Sequence, residues 1–178
     1  LAQRGDLGLF FVSGVQIDRH GNTNLHLLGD PERPTLRLPG GYGGGMIYYA
    51  ARRTVVFRTE HSPRSLVERV DFISAAGHTP PAVLRHGHPT RVVTPMATLR
   101  FDVPAGLLRL ESVHAPHSVA DVVARTGFDL GDVSAVGPTP EPSEGELATL
   151  RGPVRACMIE TGTYPDWARA TLGAGRAA

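Results

Sequence analysis

The sequence predicts a loop-rich α/β domain, and three observations point there. Apolar residues make up 41% of 178 residues, enough for one substantial core in a chain too short for two ordinary domains. The 21 Gly and 15 Pro are high for a helical bundle, yet they are scattered among apolar segments and form no repeat. From Thr35 to Phe57 the pattern is strand, glycine turn, short helix, strand.

The elements follow in order. Leu7 to Ile17 reads as a buried strand interrupted at Ser13-Gly14, where small residues let another backbone or a ligand approach. Only six residues precede it and there is no initiator Met, so the domain is expected to be N-terminally incomplete. Asp18 to Asn22 forms a turn, because Asp, Asn and Gly tolerate tight backbone geometry. A return strand is expected over Asn24 to Leu28, and a further extended segment over Thr35 to Leu38 leads into the glycines. A short helix spans Met46 to Ala51, and Thr54 to Phe57 is a strand. Ser62-Pro63 starts a helix through Arg69, since Pro in the first turn sacrifices no helical hydrogen bond. Strands follow at Val70 to Ile73, Arg91 to Thr94, Thr98 to Phe101 and Leu107 to Val113. Ser118 caps a helix with Val119, Val122 and Val123 near one face and Gly127 as its stop. Residues 1–130 are thus read as the domain. Residues 131–178 form a Pro/Gly-rich extension with a short helix at Glu144 to Leu150 and a weakly structured tail.

Composition narrows the function classes. A formal net charge of +1 gives no broad basic field for nucleic acid, and no run of eighteen apolar residues suggests a membrane span. The single Cys157 cannot close an intrachain disulfide, so a reducing, cytoplasmic setting is expected. His78, His86 and His88 share a loop but lack an accompanying Cys or close carboxylate pattern, and no metal site is expected.

The strongest chemical signal is Arg37-Leu38-Pro39-Gly40-Gly41-Tyr42-Gly43-Gly44-Gly45. Clustered glycines let backbone N–H groups converge on an anionic oxygen without side-chain collision. The lysine of a phosphate loop is absent, and the spacing does not make a dinucleotide fingerprint. On chemistry alone the segment is either a ligand-binding loop or a structural turn.

Gly14-Val15-Gln16-Ile17-Asp18-Arg19-His20-Gly21-Asn22, followed by Arg37-Leu38-Pro39-Gly40 and the glycine run, resembles the beta subunit of a class I coenzyme A transferase of the glutaconate type. The resemblance continues through His61, Glu68 to Ile73, Arg91 to Thr94, Leu110 to His114 and Val119 to Leu130, covering nearly everything from Leu7 to Leu130. It implies a predominantly parallel sheet covered by helices, an alpha-type partner subunit in a hetero-oligomer, and coenzyme A or its acyl thioester as substrate with no tightly bound cofactor. The implied reaction passes CoA from an acyl-CoA to a carboxylate through a glutamyl-CoA thioester. By resemblance Gly40, Gly41, Gly43 and Gly44 belong to the loop over the thioester, with Tyr42 bordering it and Gln16 as a site wall. His61 joins them because it follows a strand of the α/β sheet.

The departures matter equally. The family's nucleophilic glutamate lies upstream of Gly14, so no catalytic residue is assigned, and Glu60, Glu68 and Glu111 are not promoted to replace it. Gly45-Met46 stands where such transferases usually carry Asn-Asp. That loss of polarity also fits a related branch that hydrolyses a carbon–carbon bond of cyclic ketone acyl-CoA intermediates in steroid degradation. A noncatalytic interaction domain is the remaining alternative. Arg52 and Arg53 are open between phosphate contact and exposed charge, while Arg64, Arg69, His114, His117 and Cys157 read as structural or surface residues.

Overall fold

The computed structural model describes residues 2–173, which divide into a unit ending at Thr139 and a second beginning at Pro140. The first contains strands β1 (Phe10–Val12), β2 (Gln16–Asp18), β3 (Thr23–Asn24), β4 (Leu27–Asp30) and β5 (Arg33–Arg37), then helix α1 (Gly44–Ala50). Next come β6 (Arg53–Phe57), β7 (Leu66–Val67), β8 (His88–Val93), β9 (Ala97–Asp102), β10 (Leu107–Val113), helix α2 (Val119–Ala124) and β11 (Gly137–Pro138). The main sheet is mixed, in the order β1-β6-β8-β9-β10-β11. Parallel pairs join β1 to β6, β6 to β8 and β10 to β11, whereas β8, β9 and β10 run antiparallel. Connection length accounts for the difference. Long excursions separate β1, β6 and β8, but tight turns link β8 to β9 and β9 to β10, and a tight turn can only reverse the chain. Gly106, at φ +65, supplies the left-handed position in the second of these turns.

Two small sheets flank the main one, in the orders β3-β2-β7 and β4-β5. The segment expected as one strand from Leu7 to Ile17 is therefore two strands in different sheets. The break falls at Gly14, where a β-carbon would lie 2.9 Å from the Gln16 carbonyl oxygen. Close backbone approach is what the small residue permits there.

The core joins Val12, Ile17, Tyr48, Val56, Leu66, Val92, Leu99, Leu108 and Val122. Helix α2 enters it through Val122, a fully buried side chain whose desolvation contributes about 1.5–3 kcal/mol. A capping box between Ser118 and Asp121 holds the start of this helix. Its C-cap is Arg125; Gly127 instead donates its N–H to the Leu66 carbonyl at 2.8 Å, and any β-carbon there would collide with that oxygen.

The helix expected from Ser62 to Arg69 does not form. A turn closes from Leu66 N–H to the Ser62 carbonyl at 2.8 Å, and Leu66 then pairs in parallel with Ile17. Both side chains are fully buried, so burial of this pair overrides the local helix signal. Nor is Val70 to Ile73 a strand. The N–H groups of Val70 and Asp71 donate to the side chains of Asp18 and Gln16 at 3.4 and 3.0 Å, which take the place of a partner strand.

The second unit is more helical than expected. Helix α3 (Glu144–Thr149) continues through a π turn at Leu150–Val154 into α4 (Arg155–Glu160), and α5 (Pro165–Thr171) follows. Ser143 and Glu146 form the capping box that starts α3. The end of the expected loose tail, residues 174–178, lies outside the described residues.

Candidate functional site

Gln16 and Asp18 on β2 are buried polar residues, and the turn after them explains why. The Asp18 carboxylate accepts from the N–H groups of His20 and Asn22 and from the Asn22 side-chain amide at 2.9 to 3.1 Å. Gln16 Oε1 accepts from Asn24 Nδ2 at 2.8 Å, and its Nε2 donates to Asp71 at 3.1 Å. This network stiffens the turn and satisfies its polar atoms. Gln16 also lines a cleft of about 430 Å³ with Gly29, Thr35, Arg58, Glu60 and Asp71. The cleft receives no residue from Gly40–Gly44.

The glycine segment is seated elsewhere. Gly40, at φ +91, donates its N–H to the Leu25 carbonyl at 2.9 Å, which ties the loop to the chain just before β4. Gly43 is the N-cap of α1, without a side-chain cap bond, and Tyr42 between them has φ 47 and is 91% exposed. A β-carbon on Gly40 would meet His26 Nε2 at 3.4 Å, and one on Gly45 would meet the Ser74 carbonyl at 2.9 Å. The loop therefore lies against His26 and Ser74. Their side chains meet at 2.6 Å between Nδ1 and Oγ, and Ser74 Oγ accepts the Leu25 N–H at 2.7 Å. The Phe72 ring stands 4.8 Å from the imidazole. Two segments, Gly40–Met46 and Phe72–Ser74, thus converge on one histidine. Tyr42, Met46, Phe72 and Ile73 are all exposed large apolar side chains of these segments.

Backbone donors remain open in this loop. The N–H groups of Gly41, Tyr42 and Gly43 meet no acceptor among the described residues. An oxygen atom approaching the loop could therefore be bound without breaking an existing bond. His26 and Ser74 had no sequence signal of their own; a lone His in a predicted return strand becomes notable only once residues 26, 40 and 74 are brought together.

His61 lies apart from this arrangement. It is buried, with Nδ1 at 2.8 Å from Thr94 Oγ1 and Nε2 at 3.1 Å from Thr126 Oγ1. Burial lowers its pKa from the ordinary histidine value. Both ring nitrogens are occupied, so the residue ties the β8 end to the end of α2.

The glutamates are likewise engaged. Glu60 accepts from Arg64 at 2.7 Å and Ser62 at 2.5 Å, and these bonds hold its carboxyl down to about 2. Glu68 pairs with Arg19 at 2.7 Å. Glu111 receives two bonds from Arg91, at 2.7 and 2.9 Å, which depress its pKa. Arg52 donates to the Gly5 carbonyl at 2.8 Å. His78 packs against Gly106, His86 against Gly5, and His88 beside the Phe101 ring. His114 bonds Thr139 at 2.7 Å, a loop contact as expected.

Residues 1–126 match the family described as Coenzyme A transferase. The chain is 34% identical over 144 residues to the cholesterol ring-cleaving hydrolase IpdB subunit of Rhodococcus jostii, covering 76% of this chain and 55% of that protein. It is 30% identical over 148 residues to one subunit of the glutaconate CoA-transferase of Acidaminococcus fermentans, covering 79% and 54% respectively. The crystal structure of Rhodococcus jostii IpdAB superposes with a TM-score of 0.73 at 28% identity, over 81% of this chain and 59% of that one. The chain thus spans a little over half the length of the curated relatives it matches.

Proposed function

The chain belongs to the coenzyme A transferase family, and we propose that it is the beta-type component of an acyl-CoA:carboxylate CoA-transferase, working with an alpha-type partner. The observation that carries this reading is the glycine loop, whose Gly41, Tyr42 and Gly43 N–H groups are free among the described residues. Directed at a thioester carbonyl, such donors stabilise the oxyanion that forms when a carboxylate attacks it. Gly40, Gly41, Gly43 and Gly44 then surround the acyl-thioester, with Tyr42 at the border.

The nucleophilic glutamate comes from outside these 178 residues. Glu60, Glu68 and Glu111 are held in ion pairs that lower their availability as nucleophiles. The external carboxylate would attack the acyl-CoA carbonyl and release CoA thiolate, leaving a mixed anhydride. Attack of the thiolate on the enzyme's own acyl carbon then frees the first carboxylic acid as its anion and forms the glutamyl-CoA thioester, from which CoA passes to the acceptor.

One observation favours a second reading. Gly45-Met46 replaces the polar pair usual in such transferases, and Met46 is half exposed beside the loop. An apolar rim suits a bulky ring-bearing acyl group and water as the acceptor, as in a ring-opening hydrolase. The experiment is to co-express the full-length protein with its genomically encoded partner and supply acyl-CoA. Labelled CoA appearing on an added carboxylate supports transfer; solvent oxygen entering a ring-opened product without an acceptor supports hydrolysis. A complex that binds no acyl-CoA leaves the noncatalytic alternative.

A further inference from the structure

We propose that His26 is a hydrogen-bond donor to the acyl substrate, its Nε2–H directed into the gap left by Gly40 and Gly41, and that Ser74 is the positioning residue that sets its tautomer. The inference deepens the acyl-CoA reading above and rests on it. Ser74 Oγ accepts the Leu25 N–H at 2.7 Å and has a single proton of its own. Among the described residues its other partner is His26 Nδ1, at 2.6 Å. If Nδ1 carried the proton, the serine proton would have no acceptor. With Ser74 donating to Nδ1 only the Nε2 proton lacks a protein partner, whereas the other tautomer strands both the serine proton and the Nε2 lone pair, so the proton is assigned to Nε2.

The Nε2–Cε1 edge of that ring faces the glycines. The β-carbon position of Gly40 is 3.4 Å from Nε2, and that of Gly41 is 3.6 Å from Cε1. Side chains at either position would cover the nitrogen; their absence leaves room for a substrate oxygen. Nε2 has no acceptor among the described residues, while Phe72 at 4.8 Å holds one side of the ring. The donor would therefore act with the free loop N–H groups on one carbonyl or carboxylate oxygen. Its loss removes a charge-stabilising bond that is strongest in the transition state.

Two measurements on the full-length protein with its partner test this. Nitrogen-15 NMR of histidine-labelled complex should show His26 protonated at Nε2, and Ser74→Ala should release it to a mixture of tautomers. Protonation at Nδ1 in the unsubstituted complex overturns the assignment whatever the enzyme does. In steady-state kinetics with acyl-CoA, His26→Leu should lower kcat by about 100-fold with KM changed less than about threefold. His26→Gln, which keeps a donor, should recover part of that loss, with both variants melting close to the parent. Unchanged turnover, or turnover falling only in step with melting and without recovery in His26→Gln, overturns the proposal. Failure of the unsubstituted complex to bind acyl-CoA would instead remove the functional reading, and it leaves the tautomer result standing.

Discussion

Tyr48 shows how a single buried polar atom is made acceptable. The ring is fully buried under α1, and its hydroxyl donates to the Gly21 carbonyl at 2.7 Å. Burial pushes the phenol's pKa up, so it stays a neutral donor across the working range. Tyr48→Phe removes the donor and strands that carbonyl; it should lower unfolding free energy by about 1–2 kcal/mol in urea denaturation, with the m-value unchanged. Glu60 makes a different residue-scale prediction. Its carboxyl titrates at about 2, below the ordinary value of 4.5. A depressed carboxyl adds stability that is fully present above the unfolded-state pKa and fades as pH falls through the folded-state value. Parent and Glu60→Gln should therefore differ most at neutral pH and converge as the pH approaches 2. A difference that stays constant from pH 7 to 2 would contradict this assignment.

At the scale of elements, the glycines separate into two kinds. A β-carbon at Gly87 would collide with the Arg52 carbonyl, so the start of β8 lies against the backbone before β6. Gly87→Ala should cost at least the upper part of the roughly 1–3 kcal/mol typical of overpacking, seen as a lower denaturation midpoint. Gly44 opens α1 with nothing within 4 Å of its β-carbon position. Gly44→Ala should hold or raise stability by up to about 1 kcal/mol. The same contrast explains what sequence could reveal. Strands β6, β9 and β10 and helices α1, α2 and α3 were legible from residue content and, for α2, apolar spacing and the Ser118 cap, because their signals are local. Strand β7, which stands in place of the expected Ser62 to Arg69 helix, was not, because the buried pairing of Leu66 with Ile17 is set by residues far apart in the chain. Val70 to Ile73 failed for a related reason: side chains of Gln16 and Asp18 bind its backbone.

For the whole molecule, the mixed sheet reconciles the expected parallel frame with an antiparallel meander at β8-β9-β10. Motif order exposed the family, while the cleft that Gln16 lines is separate from the glycine loop. His61 joins two structural elements, and the meeting of Gly40, Gly41 and Ser74 at His26 is visible only after folding. On the proposed reading the Gly40–Gly44 loop receives the acyl-thioester in the assembled complex. Gly43→Val tests it most directly, because Gly43 has φ −83 and its nearest neighbour to a β-carbon is Ile47 Cδ1 at 3.8 Å. The fold tolerates a first side-chain atom there, whereas a ligand pressed against the loop would meet the added bulk. Calorimetric titration of the full-length complex with acyl-CoA should show affinity falling at least about tenfold in Gly43→Val while the melting temperature stays within about 2 °C of the parent. Equal affinity in the two folded complexes would contradict the claim.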